Sequence, residues 1–145
     1  MTVREGVPAD LPRLREIQTT ALAEPWPALL ETAVDGPPPL YVVADGPVVG
    51  YAIVVPDGGT VAYVPEFAIH PDAQREGCGS RLLRYLRTEL AAAGYEQLRV
   101  TVRVSDDGAR EFYVVHGFER LERIDDHFEG CDGFLLALAL DGPGE

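Results

Sequence analysis

Apolar residues recur at three- and four-residue intervals in "PADLPRLREIQTTAL", where Leu11, Leu14, Ile17, Ala21 and Leu22 predict an opening helix after a short strand near Val3. Asp10 is placed to cap it, and Pro12 is tolerated in its first turn. "AEPWPALLETAV" predicts a second, shorter helix starting near Pro25 or Pro27, with Trp26 packing, before "DGPPP" breaks the chain. In "LYVVADGPVVGYAIVV" two apolar runs flank Asp45-Gly46, the dipeptide of a tight hairpin turn, and "PDGG" ends the second run.

"TVAYVPEFAI" predicts a further strand. Leu82, Leu83, Leu86 and Leu90 then share one face of a helix from about Cys78 to Ala93, stopped at Gly94. "YEQLRVTVRV" alternates as a strand with Leu98, Val100, Val102 and Val104 inward. "DDGAREFYVVH" follows as a short helix, and "GFERLERI" and "GFLLALAL" as two closing strands. The predicted order is β-α-α-β-β-β-α-β-α-β-β in one domain over residues 1–145, an α/β (α+β) class with no repeats and no dividing linker.

At 145 residues and 46% hydrophobic content the chain can bury a real core. No apolar run approaches the length of a membrane helix and the amino terminus lacks the pattern of a signal peptide, so the expected location is cytoplasmic with no membrane partner. Cys78 and Cys131 form no disulfide framework, and neither stands in a metal-ligand spacing with histidines, so no metal is expected. The net charge is −12, with twelve arginines and no lysine, which disfavours a nucleic-acid partner and suits cationic ligands.

"HPDAQREGCGSRLL" is the segment where chemistry concentrates. A strand ending at Ile69, a proline-containing bend, and Gly77 and Gly79 opening a helix aim several backbone N–H groups at one point. Arg75, Arg81, Arg84 and Arg87 gather a third of the positive charge nearby, so a polyphosphate is the expected guest. The loop lacks the Gly-Lys-Ser/Thr of a triphosphate site, and Leu82 stands where a dinucleotide fingerprint needs its third glycine.

Gln74-Arg75-Glu76-Gly77-Cys78-Gly79, following "EFAIHP", resembles the Q/R-x-x-G-x-G/A acyl-CoA signature of the GNAT superfamily of N-acetyltransferases. "AREFYVVHGFERL" is similar to that superfamily's A-x-x-x-Y-x-x-x-G-F segment, and the element order matches from first strand to last. The resemblance implies a central mixed, mostly antiparallel sheet of six to seven strands flanked by about four helices, with acetyl-CoA between splayed fourth and fifth strands. Pro65, which cannot donate to a ladder, suits such a splay. Carried over, the backbone of Phe67, Ala68 and Ile69 would pair with the pantetheine arm. The amides of Gln74, Arg75, Glu76, Gly77, Cys78, Gly79 and Ser80 would hold the pyrophosphate.

The activity implied is acetyl-CoA-dependent acetyl transfer to a primary amine by direct attack on the thioester. Tyr113 matches the tyrosine placed near the CoA sulfur, and a phenol can give the departing thiolate a proton. Glu66 is the expected general base, with His116 and His127 as rivals, whereas His70 reads as a turn residue. Two positions depart from the branch that acetylates ribosomal-protein N-termini: Thr101 replaces a glutamate and Asp106 an asparagine. Cys78 at a helix start raises a rival nucleophile, and a non-catalytic acyl-CoA sensor is a second alternative.

The acceptor is shaped, by the same resemblance, by the first two helices and the last hairpin. Glu24, Glu31 and Asp35 in the former, and Asp125, Asp126, Glu129 and Asp132 in the latter, predict a small cationic amine. A protein or peptide amine is the alternative. A homodimer is what the resemblance makes possible.

Overall fold

A computed structural model describes residues 1–74 and 76–140. Its strands are β1 (Thr2–Glu5), β2 (Leu40–Ala44), β3 (Val48–Pro56), β4 (Val61–Ile69), β5 (Gln97–Arg103), β6 (Glu119–Phe128) and β7 (Cys131–Ala139). Its helices are α1 (Leu11–Ala21), α2 (Pro27–Asp35), α3 (Cys78–Ala92) and α4 (Asp107–Val115), with short 3-10 turns at Pro8–Asp10 and Pro71–Ala73. The order is the one the periodicities predict. Strand neighbours run β1-β2-β3-β4-β5-β7-β6. The β4–β5 pair is parallel, and β1–β2, β2–β3, β5–β7 and β6–β7 are antiparallel, so the sheet is mixed and mostly antiparallel.

The chain divides into two compact units, Met1–Val55 with Pro65–Thr88, and Pro56–Val64 with Glu89–Glu145. In the first, Leu14 and Ile17 of α1, Leu30, Ala33 and Val34 of α2, and Val42, Tyr51, Ile53 and Ala68 of the strands form the core. Strand β3 is buried from Val48 to Val54, because neighbours cover both of its faces. Gly50 permits this closeness. A Cβ there would lie 2.4 Å from Ile69 Cδ1 and 2.9 Å from the Ala68 carbonyl oxygen.

In the second unit β5 alternates without a break, burying Leu98, Val100 and Val102, and pairs with β7 along its whole length. Val104 falls beyond the strand and is half-buried, because the chain is already turning into α4 there. The β4–β5 ladder joins only Val61–Tyr63 to Gln97–Arg99 and stops two residues before Pro65, which has no N–H to give.

Three local expectations are corrected. Asp10 makes no side-chain cap for α1; its carboxylate accepts from Val7 N at 2.9 Å and from Arg4 at 2.8 and 2.9 Å, closing the preceding turn instead. Trp26 does not pack: it is 56% exposed. The stretch "RIDDHFEGCDG" is mostly strand, since β6 runs to Phe128 through a bulge with Asp126 at φ 51°, leaving only Glu129 and Gly130 as the turn. Among the described residues no helix is long and apolar enough to cross a membrane, and no cluster of histidine, cysteine and carboxylate side chains suits a metal.

Candidate active site

Glu66 lies on the core face of β4, where strict alternation sets it between buried Val64 and Ala68. It is only 5% exposed. A carboxylate taken out of water needs hydrogen-bond donors, and here three supply them. Oε1 accepts from Gln18 Nε2 at 2.9 Å and from Tyr51 Oη at 2.9 Å, and Oε2 accepts from the Trp26 backbone N–H at 2.8 Å. Burial, followed by the charge of Glu66, pushes the Tyr51 phenol well above its ordinary range, so it stays a donor.

Gln18 and Tyr51 escape a reading of the sequence that looks for reactive residues. A signal was nonetheless present for Gln18, which shares the buried face of α1 with Leu14 and Ile17. A polar residue in an apolar stripe asks for a buried partner.

The glycine turn follows directly. His70 is the turn residue expected, its Nδ1 accepting from Asp72 N at 3.1 Å, and Gln74 Nε2 bonds the Ile69 carbonyl at 3.2 Å. Gly77 has φ +85°, a conformation that side chains other than glycine's rarely adopt, and the space where a Cβ would sit is open. Arg81 N donates to Gly77 O at 3.0 Å, so Cys78, Gly79 and Ser80 form the first turn of α3, whose amides have no helical carbonyl to serve. Glu76 is exposed beside them, and Arg75 lies outside the described residues. On β4, Ala68 is buried while Phe67 and Ile69 are half-buried, and His70 N closes that end of the strand on Val49 O at 2.7 Å.

Cys78 is 1% exposed, and burial, then the charges of Glu76 and Asp45, raises its thiol. Its burial suits an apolar filler better than a reactive thiolate.

In the second unit Tyr113 is buried on α4, edge-on to Phe118 at 5.1 Å and Phe112 at 5.2 Å. Burial, with a smaller contribution from Asp106, drives its phenol far above the usual value, which keeps the proton on Oη. Asp106 caps α4, its carboxylate accepting from Ala109 N at 3.0 Å, a bond that asparagine's oxygen makes equally well. Thr101 is half-buried on β5 opposite Leu135. His116 ends α4 against Phe112 at 4.7 Å, and His127 on β6 stands against Phe128 at 4.7 Å.

The acidic stretches are partly neutralised. Glu31 pairs with Arg15 at 2.5 Å and Asp132 with Arg123 at 2.7 Å, while Asp125 and Asp126 are exposed on β6.

A seven-stranded mixed sheet, a Gly-x-Gly turn opening α3 and a buried tyrosine on α4 are the features that the two motifs imply. Residues 11–118 match the acetyltransferase (GNAT) family model, and the chain belongs to that family. It is 31% identical over 128 residues to the [ribosomal protein bS18]-alanine N-acetyltransferase of Escherichia coli, covering 86% of this chain and 84% of that one. The crystal structure of the ribosomal-protein-S18-alanine N-acetyltransferase from Escherichia coli superposes with a TM-score of 0.85 at 27% identity, covering 99% and 96% of the two chains. A GNAT family acetyltransferase from Elizabethkingia anophelis with acetyl-CoA bound shares the fold, with a TM-score of 0.82 at 18% identity and 96% and 97% coverage.

Proposed function

We propose that this protein transfers the acetyl group of acetyl-CoA to the α-amino group of a protein or peptide. The observation that supports this acceptor is the state of Glu66, both of whose carboxylate oxygens already accept hydrogen bonds, whereas Thr101 in place of a glutamate on β5 points away from a peptide N-terminus. An ε-amine or polyamine nitrogen, with a pKa of about 10.4, needs a base to lose its proton near neutrality. An α-amine, at about 7.7–8.0, is roughly a tenth neutral at pH 7, several hundredfold more than the ε-amine. The names of the relatives, which act on the alanine of a ribosomal protein, favour the same class. The pairing of Glu31 and Asp132 with arginines weakens the attraction for small cations that the acidic stretches suggest.

The residues fit the cofactor. Gly77 leaves open space at its Cα, and the first turn of α3 directs amides suited to a pyrophosphate. Gln74, Arg75, Glu76, Gly77, Cys78, Gly79 and Ser80 would hold that group, and the backbone of Phe67, Ala68 and Ile69 the pantetheine arm. Acetyl-CoA supplies an activated thioester when bound. Tyr113 Oη would give its proton to the departing thiolate and take one back from solvent, burial favouring the return to the neutral phenol. The neutral amine attacks directly and loses its proton to solvent.

Calorimetric titration with acetyl-CoA tests the cofactor, with micromolar binding expected and Gly79→Glu expected to weaken it by bulk and charge. Thiol release with an alanine-initiated peptide and with spermidine then tests the acceptor. Binding without release from any amine would favour a sensor.

A further inference from the structure

We propose that the outer edge of β6, beside α4, is a docking surface for an acidic, extended segment of another protein, whose alternate carboxylates face Arg110, Arg120 and Arg123. This surface is independent of the transferase reading and of the glycine turn.

Three of the twelve arginines in a chain of net charge −12 converge on one buried ring. The guanidinium carbons of Arg120, Arg110 and Arg123 lie 4.8, 5.0 and 5.8 Å from the centroid of Phe134 on β7. Arg110 comes from α4 and the other two from β6, where they stand three positions apart. In a regular strand that separation sends side chains to opposite faces. A bulge between Arg120 and Glu122 overrides this: Arg120 sits opposite Leu136 and Arg123 opposite Phe134, which are two apart on β7, so both arginines share the face that Arg110 reaches. Glu119, Glu122 and Ile124 take the other face, opposite Ala137, Leu135 and Gly133. Over residues 119–124 the bulge thus sorts positive and negative charge, one sign to each face.

Gathered like charge is unfavourable unless anions balance it, and the chain supplies two. Arg110 pairs with Asp107 at 3.2 Å and Arg123 with Asp132 at 2.7 Å, whereas Arg120 is exposed and has no carboxylate partner among the described residues. Pairs at the surface are weak and can be shared with an incoming carboxylate.

The spacing points to the occupant. Leu136 and Phe134 are about 6.5–7 Å apart along β7, the repeat at which side chains recur on one face of an extended chain. A peptide with carboxylates at alternate positions meets Arg120 and Arg123 in step, and its intervening uncharged residues fall on the side of Glu119 and Glu122. As the terminal strand of the sheet, β6 also offers main-chain groups along its outer edge for such a chain to pair with. Leu121, at the bulge, and Val114, one turn beyond Arg110, are exposed apolar side chains beside the arginines. An antiparallel second copy of β6 would set arginine against arginine on one face. A polyphosphate chain would meet Glu119, Glu122, Asp125 and Asp126 on the same strand.

The probe is a short fluorescein-labelled peptide of alternating glutamate and valine, titrated with the full chain by anisotropy at near-physiological ionic strength. The same peptide with serine for glutamate is the control. The glutamate peptide should bind at least about tenfold more tightly than the serine peptide, and Arg120→Glu should abolish that difference. Arg15→Glu, which changes the net charge equally from α1, should leave affinity within about twofold. Arg120→Gln, which keeps a polar side chain at the position, should read a loss of about threefold or more even where charge reversal prevents folding. Peptide at saturation should slow amide hydrogen exchange along β6.

Absence of binding, equal affinity for the two peptides, or equal losses in Arg120→Glu and Arg15→Glu would overturn the proposal. So would slowed exchange confined to strands other than β6. A single-stranded oligonucleotide that binds as tightly and displaces the peptide would assign the arginines to a polyphosphate instead. A dimer of the parent in sedimentation, dissociated by Arg120→Glu, would assign the edge to a second copy.

Discussion

Glu66 in the first unit and Tyr113 in the second are both buried ionisable groups, yet their surroundings give them opposite capacities. The carboxylate accepts three hydrogen bonds, from α1, β3 and the loop before α2, and is held in place by them. The phenol sits among aromatic rings in a setting that resists ionisation. One group is bound into the architecture, the other is held as a neutral hydroxyl. Burial alone did not separate them; their partners did.

The sharpest way to break this comparison is Tyr113→Phe. It should lower kcat by roughly 100-fold or more, with acetyl-CoA affinity retained in a calorimetric titration. Equal activity would place the proton source elsewhere. Moving the strand that carries Glu66 comes next. Gly50→Ala forces a Cβ to within 2.9 Å of the Ala68 carbonyl oxygen, and should cost about 1–3 kcal/mol in denaturant unfolding. Little or no loss would mean that β3 and β4 can part, and that the Glu66 network is looser than its geometry.

Alkaline titration addresses the phenols themselves. Tyr51 and Tyr113 both have folded-state values raised by burial, so the folded chain holds protons that the unfolded chain releases above about pH 10. Stability is therefore whole below that pH and falls as pH rises past it. Tyr113→Phe should flatten the fall, as measured by unfolding midpoints at rising pH.

Ion pairs at the surface supply the lower bound. Hydrogen bonding from Arg4 lowers the Asp10 carboxyl, so its contribution is present above about pH 3.9 and lost as pH falls below. Discounted for solvent screening, Asp10→Asn should cost at most about 1 kcal/mol near neutrality. Glu31→Gln, which cuts a pair whose two side chains are each 52% exposed, should change stability by less than about 0.5 kcal/mol.

The element order and both motif segments were legible because they depend on local signals: helical stripes in α1 and α3, alternation in β5, Asp45-Gly46 between β2 and β3, and glycines opening α3. What the sequence concealed depends on long-range partners. Glu66 could be placed on a strand, but its three donors come from residues 15, 40 and 48 positions away. Trp26 was expected to pack because tryptophan usually does, and only its backbone is tied down. The last hairpin was read with its strands ending at Ile124 and starting at Gly133, short of their observed bounds at Phe128 and Cys131. An edge strand beside β7 is solvated on most of its length, and so carries the composition of a loop.

The central claim is acetyl transfer to an α-amine without a dedicated strand carboxylate as base. The most direct test compares kcat/KM at pH 7 for an alanine-initiated peptide with that for the same peptide N-terminally blocked and carrying a lysine ε-amine. The account predicts a clear preference for the free α-amine, of about 100-fold or more, since the two pKa values differ by more than two units. Preference for the ε-amine or for a polyamine would contradict it.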